Sequence, residues 1–154
     1  MNIKTKYLPV SSNESREIYD SKLSNELSNN HVDLVICIGW MRILSREFTE
    51  KWKNNCMNVH PSLLPEFAGG MDKDVHQSVL DAKKEKTGCT IHIVSDVVDA
   101  GLIINQKECK VLPNDTAISL KNRVQKLEGE AYVDSILKWI NEIHTLGIEP
   151  RGFE

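Results

Sequence analysis

Apolar residues recur along this chain in two rhythms. Tyr19, Leu23 and Leu27 return every fourth position, with Ile18 beside them and polar residues between. That spacing predicts an amphipathic helix from Glu14 to about Asn29. Ser12 or Asn13 stands where a cap is needed, and Asn29-Asn30 ends the run. A short helix is expected after Ser45, through about Trp52. Another runs from Asp72 to about Lys83, with Val75, Val79 and Ala82 on one side. The longest reaches from about Thr116 to His144. Its stripe begins with Leu120, Val124, Leu127 and Ala131 and continues through Ile136, Leu137, Ile140 and Ile143. Gly129 interrupts it, at a cost of about 1 kcal/mol relative to Ala.

The second rhythm belongs to strands. Asp33 to Ile38 is apolar without alternation, as in a strand buried on both faces. Cys56 to His60 is a short apolar run that Pro61 stops, because proline has no N–H to give the ladder. Thr90 to Val94 alternates. Leu102–Gln106 and Glu108–Leu112 read as strand with room for a bend, and Ile3–Val10 as a short strand ending at Pro9. Helices and strands in alternation predict an α/β fold, with a mostly parallel sheet flanked by helices. Residues 1–146 form one expected domain and 147–154 a C-terminal tail.

The chain has 154 residues, enough for one domain with a substantial core. Charged residues are mixed along it and the net charge is -3, which argues against a nucleic-acid footprint. No apolar run approaches the length of a membrane span, and the first residues lack the apolar stretch of a secretory signal. Cys37, Cys56, Cys89 and Cys109 form no Cys-x-x-Cys pair. Reduced thiols in a cytoplasmic protein are the expectation, with neither zinc nor disulfides.

Candidate chemistry lies at Asn58-Val59-His60-Pro61. In a strand, Asn58 and His60 point to the same face, and they sit where the strand runs out into a loop. In open α/β sheets ligands bind outside such carboxyl ends. By itself such a pair is more often two satisfied structural polar groups than a catalytic one.

Three stretches carry a resemblance. They are D-L-V-I-C-I-G-W-M-R-I-L-S from Asp33, N-V-H-P-S-L-L-P-x-F-x-G from Asn58, and G-C-T-I-H-I-V-S-D-V-V-D-A-G from Gly88, with Gln106 following. In this order the chain resembles glycinamide ribonucleotide formyltransferase, the folate-dependent enzyme of purine synthesis, from about Ser15 to Glu128. The resemblance implies a Rossmann-like formyltransferase fold. It implies formyl transfer from 10-formyltetrahydrofolate to the amine of glycinamide ribonucleotide, with no metal. By that likeness Asn58, His60 and Asp99 are catalytic. Asn58 and protonated His60 donate to an oxyanion, and Asp99 favours the imidazolium and shuttles protons through water. Arg16, Met41, Arg42, Ile43, Leu44, Asn58 and the loop Ser95, Asp96, Val97, Val98, Asp99 match the folate site. Gln125 and Glu128 match the pair near the nucleotide's ribose. Each has a plainer reading: Arg42 as a solvated cation, Met41, Ile43 and Leu44 as core, Asp96 and Asp99 as turn formers, Gln125 and Glu128 as a wet helix face. His92 fits either support of the site or the core.

One departure stands out. The family's Gly-rich turn, which cradles the nucleotide phosphate at a helix N-terminus, has no counterpart here, since no glycine precedes Gly39. The chain therefore reads as N-terminally truncated relative to the family, and a homodimer, a separate polypeptide or an incomplete gene product would each account for it. The alternatives are a folate-binding remnant without nucleotide-directed catalysis, or a related formyltetrahydrofolate hydrolase.

Overall fold

The computed structural model of the chain describes residues 3–70 and 73–146, without the side chains of 73–74 and 143–146. The expected start of the third helix at Asp72 and the tail 147–154 lie outside the described residues. Eight elements follow in order: α1 (Arg16–Asn29), β1 (Val35–Cys37), α2 (Arg46–Lys51), β2 (Cys56–His60), α3 (Lys73–Asp81), β3 (Lys86–Ile93), β4 (Ile103–Lys110) and α4 (Ala117–Leu146).

The helices form where the periodicity places them, and hydroxyls fix where they start. Ser15 caps α1 by accepting from the Ile18 N–H at 3.3 Å. The expected caps Ser12 and Asn13 lie in the turn before it, where the Ser11 N–H donates to Glu14. Ser45 caps α2 in the same way, accepting from the Phe48 N–H. At α4 the Thr116 hydroxyl accepts from the Ser119 N–H. Each cap satisfies a backbone donor that the helix itself leaves free.

The strands make one sheet in the order β1-β2-β3-β4. The α/β class and the flanking helices are as expected, but the described strands are mixed in direction. β1 and β2 run parallel, while β2–β3 and β3–β4 are antiparallel. β3 begins four residues before the apolar run that announced it, because Lys86, Thr87, Gly88 and Cys89 pair with β4. β4 is one continuous strand, and the irregularity in its ladder falls opposite Ile91 and His92. The expected strand at Ile3–Val10 does not form. That stretch leaves Ile3 79% and Tyr7 86% exposed, and among the described residues no strand pairs with it. Two contacts tie it to α1: the Tyr19 O–H donates to the Leu8 carbonyl, and Lys6 pairs with Glu26 at 3.3 Å.

Two apolar clusters hold the sheet between its helices. On one face Met57, Cys89, Ile91 and Ile93 meet Val124, Ala131 and Tyr132 of α4. On the other, Cys37 and Cys56 meet Leu44, Phe48 and Trp52. Burying one large apolar side chain of this kind contributes about 1.5–3 kcal/mol. Strand alternation sorts β2 between the clusters: Cys56 faces α2 and Met57 faces α4. Asn58 and His60 continue the Cys56 face, so they emerge beyond the second cluster.

Candidate active site

The site grows from the carboxyl end of β2. His60 is its last residue and only 3% exposed. The antiparallel register sets His92 opposite Asn58 and Thr90 opposite His60. The loop after His60 is then tied down from β3 and β4. The Thr90 hydroxyl donates to the Ser62 carbonyl at 2.7 Å and accepts from the Leu64 N–H at 3.0 Å. The Gln106 amide donates both to that hydroxyl and to the Leu64 carbonyl. The loop thus returns its Phe67 carbonyl to within 2.9 Å of His60 Nε2.

Asp99 arrives from the connection between β3 and β4. Its backbone is left-handed, with φ 55°, a conformation that costs energy outside glycine and persists where surroundings impose it. Gly101 is part of that imposition. A Cβ there would lie 1.7 Å from the Ile93 carbonyl oxygen, so only glycine lets the turn close. The turned-in carboxylate meets His60 Nδ1 at 3.1 Å, accepts from the Gly69 N–H at 2.8 Å, and has a longer 3.5 Å contact with His92 Nε2. His92 is oriented from behind, its Nδ1 lying 3.0 Å from the Ile93 carbonyl.

Burial alone would push the Asp99 carboxyl up. The contacts with His60, His92 and the Gly69 N–H outweigh it and hold the group well below the usual carboxylate range. Both nitrogens of His60 face oxygen atoms, Asp99 on one side and Phe67 O on the other.

A cleft of about 160 Å³ opens beside this cluster. Met41, Arg42, Ile43 and Leu44 line it, as do Asn58, His60, Ser95, Val97, Val98 and Asp99. Its rim is apolar and exposed at Met41, Ile43, Val97 and Val98. Arg42 stacks its guanidinium 4.5 Å over the Tyr19 ring, a cation–π contact that a purely solvated arginine lacks. Four of the sequence-selected residues do not line the cleft. Arg16 is exposed at the start of α1 and pairs with Glu17 at 3.2 Å. Asp96 is exposed on the loop, Gln125 is exposed on α4, and Glu128 is half-buried there. His92, Gly69 and the Phe67 carbonyl also join the cluster; all three stand inside the matched stretches, where the sequence offers only His92 as a support of the site. Alternation put His92 on the face of Thr90, but only strand pairing reveals what lies across from it.

A family model described as formyl transferase matches residues 1–136. The chain belongs to the formyl transferase family. It is 34% identical over 137 residues to phosphoribosylglycinamide formyltransferase of Escherichia coli, covering 89% of this chain and 63% of that one. It is 39% identical over 127 residues to the trifunctional purine biosynthetic protein adenosine-3 of Drosophila melanogaster, covering 82% of this chain and 9% of the fly protein. The solved phosphoribosylglycinamide formyltransferase of Brucella melitensis superposes with a TM-score of 0.74 at 36% identity, over 81% of this chain and 62% of that one. That of Bacillus halodurans gives 0.78 at 28% identity, over 88% and 68%. This formyl transferase chain therefore spans under two thirds of the bacterial enzyme from Escherichia coli and a small part of the multifunctional fly protein.

Proposed function

We propose that this chain transfers a formyl group from 10-formyltetrahydrofolate to the amine of glycinamide ribonucleotide, in de novo purine biosynthesis. The observation that carries the reading is the His60–Asp99 pair, 3.1 Å apart on the wall of a cleft that also holds Asn58. The names of the relatives support the choice of substrates.

In this reading the amine attacks the formyl carbon and the carbonyl oxygen becomes an oxyanion. The bond from carbon to the folate nitrogen then breaks, and that nitrogen leaves with a proton. The Asn58 amide N–H and the His60 Nε2–H donate to the oxyanion, the latter by exchanging the Phe67 carbonyl for the substrate. Asp99 stays anionic through neutral pH, orients His60, and holds a water through which the proton of the attacking amine passes to the departing folate nitrogen. The formyl donor is already activated, so no covalent enzyme intermediate is required. Met41 to Leu44, Ser95, Val97 and Val98 hold the pterin along the apolar rim. Arg16 and Asp96 act at the outer end of the folate, and Gln125 and Glu128 near the ribose. The setting is cytoplasmic and the partners are small molecules. Among the described residues no helix is long and apolar enough to cross a membrane.

One observation favours a second reading. Gln125 and Glu128 lie outside the cleft that holds the catalytic trio. A folate-binding module, or a formyltetrahydrofolate hydrolase with water as acceptor, uses the cleft without them. Incubating the chain with 10-formyltetrahydrofolate and the nucleotide separates the cases. Formylated nucleotide, absent with Asp99→Asn, is the expected product. Folate consumption that is indifferent to the nucleotide would establish hydrolysis instead, and folate binding with no turnover would leave the binding module.

A further inference from the structure

The cleft wall from Trp40 to Leu44 has no ladder of its own. β1 ends at Cys37 and α2 begins at Arg46, and the residues between belong to neither helix nor strand. Among the described residues, no backbone–backbone hydrogen bond outside the helices and strands involves 39–44. A segment of that kind keeps one shape only where side chains tether it. We propose that Tyr19 and Asp20 of α1 are positioning residues for the folate cleft, fixing this wall from the side away from the ligand. That the ligand is folate rests on the reading above; that the wall is tethered rests on contacts within the chain.

Consecutive helix residues point about 100° apart, so Tyr19 and Asp20 reach two different points of the wall. Both are buried, and neither lines the cleft. Asp20 takes the far end. Its Oδ2 accepts from the Ser45 N–H at 2.5 Å, while its Oδ1 has no hydrogen-bond partner among the described residues. Ser45 is itself buried, and Asp20 supplies the acceptor that its N–H needs there. One turn further along α1, the Ser24 hydroxyl accepts from Trp52 Nε1 at 2.9 Å and locks α1 to the end of α2. Tyr19 takes the middle of the wall. Its ring lies under the Arg42 guanidinium at 4.5 Å and beside the Trp40 ring at 6.4 Å. Arg42 and Trp40 both line the cleft, so Tyr19 sets where their side chains stand.

A wall ordered in advance spares the ligand the entropy of ordering it. The catalytic trio is held by other means. Asn58 and His60 sit on β2, and Asp99 is turned in by Gly101, Gly69 and His92. None of those contacts passes through α1. Loosening the tethers on α1 therefore weakens folate binding and leaves transfer from bound folate nearly intact.

The test measures three things in the full chain: folate affinity, transfer at saturating folate, and hydrogen exchange of residues 39–45 without ligand. Tyr19→Leu and Asp20→Ala each remove a tether, whereas Tyr19→Phe keeps the ring and Asp20→Asn keeps an acceptor. We expect the first two to weaken 10-formyltetrahydrofolate binding about tenfold. They should raise KM with kcat within about threefold of wild type, and speed exchange in the wall, at the Ser45 amide above all in Asp20→Ala. Tyr19→Phe and Asp20→Asn should stay near wild type in all three. Leu120→Ala, buried in α4 and apart from the cleft, should lower the urea midpoint without changing folate affinity. Wild-type affinity and exchange in both Tyr19→Leu and Asp20→Ala would overturn the proposal. So would a fall in kcat at unchanged KM, or a loss of affinity that Leu120→Ala reproduces at equal destabilisation. A wild-type chain that binds folate without transfer, or binds none, would instead refute the substrate assignment above. Affinity and exchange in the first case, and exchange alone in the second, would still decide on the tethers.

Discussion

Asp99 is the residue on which most of the site depends, and it leaves a signature in stability. Its carboxyl is held below the usual range in the folded chain. A depressed carboxylate contributes stability that is complete above the unfolded value, near 3.9, and is lost as pH falls below it toward the folded value. We expect the denaturation midpoint of the wild-type chain to drop steeply below about pH 4. Asp99→Asn should be less stable at neutral pH, with a shallower acid slope. Gly101 is the second pivotal residue, since its missing side chain lets the Asp99 turn close against Ile93. Gly101→Ala meets backbone rather than a flexible side chain. We expect a loss on the order of 3 kcal/mol in urea unfolding, with weakened folate binding because the Asp99 loop is displaced.

At the scale of elements, α4 offers the cleanest measurement. Gly129 sits inside this 30-residue helix, is exposed, and has nothing within 4 Å of an added Cβ. Gly129→Ala should therefore stabilise the chain by about 0.5–1 kcal/mol, read as a raised urea midpoint at unchanged slope. The same helix shows where periodicity was informative: Leu120, Val124 and Ala131 are fully buried, as the stripe requires, whereas Leu137 and Ile140, which continue it, are exposed. Strands were less legible. Lys86-Thr87-Gly88 has no apolar pattern, yet pairing with β4 makes it strand. Ile3–Val10 has the pattern of a strand but no ladder beside it among the described residues. A hydrophobic run reports burial tendency, whereas a strand exists only with a partner, and partners are distant in sequence.

Across the whole molecule, the site was legible as chemistry and illegible as geometry. Asn58 and His60 share a face by simple alternation, and both line the cleft. That Asp99 would cross 39 positions to touch His60 could be read only through family resemblance. The direction of β3 was equally hidden, because Thr-Ile-His-Ile-Val alternates alike in parallel and antiparallel company. With β3 antiparallel to β2, His92 lies opposite Asn58 and backs the Asp99 carboxylate. The residues set apart on α1 and α4 mark the other boundary: Arg16, Gln125 and Glu128 were matched by likeness alone, and the cleft does not include them.

Single-turnover formyl transfer at saturating 10-formyltetrahydrofolate, with folate affinity measured in parallel, bears most directly on the convergence of Asn58, His60 and Asp99. We expect Asn58→Ala, His60→Ala and Asp99→Asn each to slow transfer by about 10²–10⁴-fold, while folate binds the Asp99→Asn chain within a few-fold of wild type. Transfer at the wild-type rate in Asp99→Asn, with folate bound as tightly as before, would contradict the placement of the reaction in this cleft.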